Sequence, residues 1–273
     1  MRLTPRRLRA STTMHGGGDA PADSRVLLDV SGVSFSYSKK APALHDVGFT
    51  LERGEKIGLV GPNGSGKSTL IRLIADLLQL DSGSIRIEGR RHRERVSRER
   101  LAYIASNDYL PQFLTGREYV DLMHRLYRHS PDEALRDDLF DRYQLESRQF
   151  DLIEDYSHGM RKKIQLISTL LLDRPLTIID ETLNGVDVDA LFEFETDAQR
   201  IAESRGLLLC SHDFRLLEAV CDRVIVLCRG EIAFDLPLTR IREEFGSVDA
   251  LVKHAIALPR PRTRTRTRAR TTP

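Results

Sequence analysis

The stretch "KIGLVGPNGSGKSTLIRLI", residues 56–74, carries the clearest fold signal in the chain. An apolar run of strand length, Lys56 to Val60, enters a glycine-rich turn, and Leu70, Ile71, Leu73 and Ile74 then follow at helical spacing. The turn, Gly61-Pro62-Asn63-Gly64-Ser65-Gly66-Lys67-Ser68-Thr69, fits G-x-x-x-x-G-K-[ST] in the strand-to-helix setting that this pattern requires. Gly61, Gly64 and Gly66 let the backbone wrap a phosphate with its N–H groups, Lys67 reaches the outer phosphate oxygens, and the Ser68 hydroxyl is a ligand for Mg2+.

Upstream, "VLLDVSGVSFSY" and "ALHDVGFTLERGEKIGLVG" read as strand, turn, strand, with Gly54 in a turn. Downstream, the helix and then "SIRIEG" (84–89) give a βαβ-like beginning, which points to an α/β sheet. Residues 107–155 are polar and helical in pattern and read as an insertion between two halves of the sheet; the helix after residue 157 extends this helical part to about residue 170. Strands resume at "LTIID" (176–180), "LLLCS" (207–211) and "RVIVLCRGEIAF" (223–234), with helices between them. Their continuous apolar runs suit a sheet covered on both faces.

Two of these strands end in polar residues. "LTIIDE" delivers Asp180 and Glu181 to the carboxyl edge of the sheet, where open α/β folds bind ligands. One carboxylate there can support a Mg2+ shell and the other can polarise an attacking water. "LLLCSHD" presents His212 at the same edge, a candidate contact for a terminal phosphate. A third stretch, "YSHGM" (156–160), opens a helix and is followed at once by Arg161, Lys162 and Lys163. Two readings of it stay open: Ser157 is an N-cap, or the small residues Ser157 and Gly159 leave room for a phosphate at the helix N-terminus. The three cations oppose the helix dipole while still attracting phosphate.

At 273 residues the chain is long enough for a domain with a subdomain, and 40% hydrophobic and 30% charged residues select no special class. The net charge of +2 conceals an asymmetry: six arginines lie between Arg260 and Arg270, residues 1–24 carry a net +2, and the body between is left at −6. Both ends read as solvated, disordered tails, 1–25 and 259–273, the latter following a helical extension at 241–258. No secretory signal and no run of membrane-spanning length is found, so work at a membrane would need another chain to cross it. Cys210, Cys221 and Cys228 form no C-x-x-C pair and read as buried free thiols.

Over residues 26–240 the chain resembles the ATP-binding subunit of an ABC transporter, with five motifs in the family's order. They are Tyr37 in "FSYS", "GPNGSGKST", "YSHGM", "IIDE" followed by "LNGVD", and "CSHD". The resemblance implies a P-loop NTPase core with a mixed sheet, an antiparallel β edge subdomain and a helical subdomain insertion. It implies that the cofactors are ATP and Mg2+, with Gly61 to Thr69 on the phosphates, Tyr37 or its neighbour Phe35 on adenine, and Ser68 and Asp180 on the metal. Glu181 would be the general base, His212 the γ-phosphate sensor, and Asp187 part of the loop communicating between two sites. Ser157 and Gly159 would cap the γ-phosphate of ATP held by a second copy, in a head-to-tail dimer around two ATP.

Three positions depart from the family pattern. Ser106 stands where a metal-contacting glutamine is usual, with Asn107 beside it as an alternative; the signature is YSHGM where LSGGQ is commonest; and Thr182-Leu183 stands where Pro-Thr is usual. The wording of the signature and the missing glutamine lean towards the exporter-like, ABC-2 type branch. The expected function is thus an ATPase peripheral to the cytoplasmic face of a membrane, powering a multi-spanning permease docked on the 107–155 insertion. The alternative is a soluble ABC ATPase acting on nucleic acid or ribosomes through the arginine tails; one phosphate loop and no long heptad stretch weigh against it, and no nucleic-acid partner is expected.

Overall fold

A computed structural model describes residues 25–38, 41–106, 109–130, 132–201 and 205–259. The two basic tails expected from the sequence therefore lie almost wholly outside the described residues, as does Asn107. The chain begins with β1 (Val26–Ser38) and β2 (Ala41–Glu52), antiparallel and each burying one face through residues such as Leu28, Val30, Val47 and Phe49. The register shifts between Val30 and Val33, where Gly32 takes a φ of 61°, and this keeps Val33 and Phe35 on the buried side.

β3 (Lys56–Val60) leads into α1 (Lys67–Ile74), then β4 (Ser82–Ile87), β5 (Arg90–Arg91), α2 (Arg95–Arg98) and β6 (Leu101–Ile104). The helical insertion holds α3 (Gly116–Leu126), α4 (Glu133–Arg142) and two short 3-10 turns, Glu146–Arg148 and Ile153–Asp155. α5 (His158–Leu171), β7 (Leu176–Asp180), α6 (Val188–Ile201), β8 (Gly206–Cys210), α7 (Phe214–Val220) and the antiparallel pair β9 (Arg223–Cys228) and β10 (Glu231–Pro237) follow. α8 (Leu238–Phe245) and α9 (Val248–Ala257) complete the described chain.

One sheet is antiparallel, in the order β2-β1-β4-β5; the other is mixed, in the order β10-β9-β3-β8-β7-β6, with β10 its antiparallel strand. The βαβ reading of the segment from β3 to β4 is corrected here. β4 leaves the central sheet and pairs antiparallel with β1, because its alternating Ile85 and Ile87 suit a one-sided sheet and not a strand buried on both faces. Successive residues of the central strands face opposite cores. Leu59 and Ile178 join α1 and the antiparallel sheet on one side, and Val60 and Ile179 join the long helices on the other.

The insertion is polar in composition yet amphipathic in space. Tyr119, Val120, Leu139, Phe140 and Tyr143 share a core with Ile164 and Ile167 of α5. α3 starts at a capping box of Thr115 and Glu118, and α4 is capped by Asp132. Arg142 and Tyr143 fasten the insertion to α6 through Asp197, at 2.9 Å each, and Arg142 also reaches Glu193 at 3.0 Å.

Candidate functional site

Sheet order places the chemistry. β8 lies between β3 and β7, and the parallel registers pair Leu59 with Cys210 and Cys210 with Asp180. The three strands therefore end at one level, and the residues that follow them meet at one edge: the glycine loop, Asp180 with Glu181, and Ser211 with His212.

The loop needs its glycines for different reasons. Gly61 has a φ of 152°, and a Cβ there would lie 2.0 Å from the Leu227 carbonyl oxygen; Gly66 has a φ of 107° and would meet Ala43 O at 2.8 Å. At Gly64 only the φ of 75° matters, since nothing lies within 4 Å of where a Cβ would be. Gly66 precedes α1 with no side-chain cap, and the first turn contains no acidic residue. The free amides and positive dipole end of α1 thus face the loop without internal competition, which suits an anion.

The charged groups converge. Lys67 is buried and donates to the Gly61 carbonyl at 2.9 Å, with its Nζ 3.9 Å from Glu181 Oε1. The same Oε1 lies 3.0 Å from His212 Nε2. Glu181 takes a φ of 53°, the left-handed region that a residue with a side chain adopts only at a cost of about 1 kcal/mol or more. Its amide is held by the Cys210 carbonyl at 2.9 Å, so the turn out of β7 is imposed by the sheet.

Asp180 differs from its neighbour. It is 2% exposed, and its Oδ1 has no hydrogen-bond partner. Burial, and then the charge of Glu181, push its carboxyl above the ordinary range, against the pull of the Cys210 thiol, Arg72 and Lys67. A buried carboxylate oxygen without a partner is a hard-oxygen donor of the kind that fits a small divalent cation. Burial in turn pushes the Cys210 thiol far up, and all three cysteines are free and buried, as the sequence implied.

Tyr37 is 56% exposed, stands edge-on to Phe35 with ring centroids 4.9 Å apart, and its hydroxyl is 3.1 Å from Thr69 Oγ1. Phe35 is buried, so of the two aromatics Tyr37 is the one with a free face beside the loop.

Ser157 caps α5, its Oγ accepting from Met160 N at 3.2 Å. The turn is also braced by Tyr156, for which the motif alone indicated no role. Tyr156 is buried, donates to the Arg148 carbonyl at 2.8 Å, and is pushed up to about 12 by burial and then by Asp151. Gly159 has room for a Cβ, whose nearest neighbour would be Gly185 O at 3.5 Å. Its own chain therefore does not explain a glycine there.

The expectation that Arg161, Lys162 and Lys163 draw phosphate to this turn needs correction. Arg161 donates to the Glu154 carbonyl at 3.0 Å, Lys162 to the Ser106 carbonyl at 3.0 Å, and Lys163 pairs with Asp187 at 2.6 Å. Both lysines are buried, since the helix face that carries them packs inward. Thr182, read only as a departure from pattern, is buried and donates to the Ala105 carbonyl at 3.0 Å. Ser106 is exposed at the end of β6.

Comparison with known proteins identifies the family. The ABC transporter family pattern matches residues 44–184.

The chain belongs to the ABC transporter family. An ABC transporter ATP-binding protein of Bacillus subtilis (strain 168), YdbJ, itself uncharacterized, is 34% identical over 216 residues, covering 78% of this chain and 70% of its own. The Nod factor export ATP-binding protein I of Rhizobium leguminosarum bv. viciae is 33% identical over 236 residues, 84% of this chain and 76% of its own. A solved ATP-binding subunit of an ABC transporter superposes with a TM-score of 0.77 at 32% identity, covering 84% of this chain and 99% of that one. This ABC transporter subunit is an ATPase that binds ATP, and its α/β core is that of the P-loop ATPases. Among the described residues no helix is long and apolar enough to cross a membrane.

Proposed function

We propose that two copies of this ATPase close head-to-tail around two ATP molecules and drive a separate membrane-spanning partner, in an exporter, to which the subunit is bound peripherally. The observation that carries the two-copy reading is Gly159, exposed enough and unstrained enough in its own chain to accept a side chain, yet a glycine. A close approach from outside explains it, and the γ-phosphate of the other copy's ATP is the approach that the free helix end invites. The relative named for Nod factor export supports the exporter direction.

Within one site, the amides of Gly61 to Thr69 and the ammonium of Lys67 hold the phosphates, and the exposed face of Tyr37 takes the adenine. Ser68 and Asp180 are the residues that would hold Mg2+, with Ser106 joining through water; the ion would supply positive charge against the phosphate oxygens. Glu181 orients the attacking water and draws its proton, and His212, hydrogen-bonding distance from the same carboxylate, fixes that carboxylate and senses the terminal phosphate. Asp187 lies in the loop that links this site to the signature turn.

The test uses the Glu181→Gln chain, which should bind ATP without consuming it. ATP should convert it from monomer to dimer on a sizing column, and Gly159→Asp should abolish the dimer while leaving ATP binding intact. A dimer that survives Gly159→Asp refutes the head-to-tail contact. For the partner, the tagged chain purified from detergent-solubilised native membranes should bring a multi-spanning protein in stoichiometric amount; ribosomal or nucleic-acid companions in its place would refute the transporter assembly.

A further inference from the structure

We infer that Lys162 and Lys163, adjacent on α5, are positioning residues that keep the Ser106 loop and the Asp187 loop in register with the Ser157–Gly159 turn. The inference rests on the reading of that turn as the contact with a second copy's nucleotide.

Adjacent residues of a helix point about 100° apart, so two neighbouring lysines diverge. Lys162 sends its ammonium to the Ser106 carbonyl at 3.0 Å, and Lys163 sends its own to Asp187 Oδ2 at 2.6 Å. The residues are only 3% and 6% exposed. Buried ammonium groups are a poor route to stability, because an apolar side chain of similar volume commonly serves the fold as well or better. Holding a loop at a defined distance from a helix is what an ammonium does there and a methionine does not.

The loops are also tied to each other and to the catalytic residue. Thr182, next to Glu181, donates to the Ala105 carbonyl at 3.0 Å, one residue before Ser106. Asp187 uses its second oxygen to cap α6, accepting from Ala190 N at 3.0 Å, and a Cβ at Gly185 would lie 3.2 Å from the His158 ring. Burial opposes ionisation of Asp187, but the Lys163 hydrogen bond and the Ala190 amide hold its carboxyl below the ordinary range. Contacts between α5, the segment 181–187 and the end of β6 thus form a closed triangle. A shift of the signature turn must carry the Glu181 loop with it, or break a buried contact.

The two ends of the Lys163–Asp187 pair are unequal, and this makes the test clean. The Asp187 side chain is 51% exposed and can be rehydrated, whereas that of Lys163 is 7% exposed and cannot. Lys163→Met should therefore fold with an unfolding midpoint near that of the parent. It should bind a fluorescent ATP analogue with unchanged Kd, yet lose about tenfold or more in kcat, the size of effect expected from a misplaced catalytic group. Lys163→Arg should restore most of the rate, and adding Asp187→Asn to Lys163→Met should lower it little further. Lys162→Met should show the same split between binding and turnover.

In the Glu181→Gln background, Lys163→Met should raise the ATP concentration needed for dimerisation. Both Met variants turning over ATP at the parent rate would overturn the inference, as would losses of rate that merely track losses of folding. A Glu181→Gln chain that itself fails to dimerise would strike the two-copy reading instead; equal dimerisation with and without Lys163→Met would strike this inference alone.

Discussion

The Nε2 of His212 and the Oε1 of Glu181 stand 3.0 Å apart, and that oxygen also faces the Lys67 ammonium at 3.9 Å. His212 and Glu181 follow the ends of β8 and β7, and Lys67 opens α1 after the loop that leaves β3; the three strands are neighbours in the sheet and separated by long stretches of sequence. Glu181→Gln should lower the ATPase kcat by about 100-fold or more while ATP still binds, a loss in the usual range for removing a general base. His212→Ala should reduce kcat in the same direction with little change in binding. Steady-state phosphate release beside equilibrium nucleotide binding checks both, and a Glu181→Gln chain as fast as the parent would remove Glu181 from the role of base.

Asp180 should trade stability for function. Its carboxyl is raised above the ordinary value by burial, so the folded protein holds that proton more tightly than the unfolded chain does. The stabilising contribution is complete below the unfolded pKa of about 4 and is lost as the pH rises through the folded value, so the ionised form works against folding. Asp180→Asn should raise the Tm of the nucleotide-free protein at pH 7, by about 2–4 °C for each kcal/mol recovered, while abolishing hydrolysis in Mg2+-ATP. A lowered Tm in calorimetry would contradict the assignment of a buried carboxylate with one oxygen left unpartnered.

The insertion should be sensitive to mild acid. His124 is 1% exposed with neither ring nitrogen hydrogen-bonded. Burial lowers its pKa most, and His129, Arg136 and Arg174 act in the same direction against Asp121. The neutral form is therefore the folded one. Stability is full above the unfolded pKa of about 6.5 and falls as the pH drops below it towards the folded value, because the unfolded chain then takes up a proton that the folded chain refuses. Tm should decline between about pH 7.5 and 5.5, and His124→Leu should flatten part of the decline. His92, lowered by burial in the β4–α2 region, should account for a share of the remainder.

Gly116 is held to glycine by a side chain. A Cβ there would lie 2.1 Å from the Tyr156 hydroxyl oxygen and 3.1 Å from the ring carbon bearing it. Gly116→Ala should destabilise the protein by about 1–3 kcal/mol, as overpacking does, measured by urea unfolding. Gly116→Ala with Tyr156→Phe should recover part of that loss. A simple sum of the two single effects would show that the contact is not the cause.

The glycine loop between β3 and α1, the strand-end placement of Asp180, Glu181 and His212, and the central strands are all legible in the sequence alone. They are local signals: a glycine loop with a set spacing, and apolar runs with polar ends, each dictated by backbone sterics and burial within about ten residues. The place of β4 in the antiparallel sheet was not legible, because short alternating runs such as Ser84 to Ile87 are compatible with either partner until the neighbours are in place. Nor was the inward turn of Lys162 and Lys163, since a lysine's charge suggests solvent and only the acceptors on Ser106 and Asp187, 56 and 24 residues away in sequence, make burial tolerable. Those contacts belong to the folded state alone: a buried charge is placed by its partner, and the partner here is brought close by the sheet order and not by the chain.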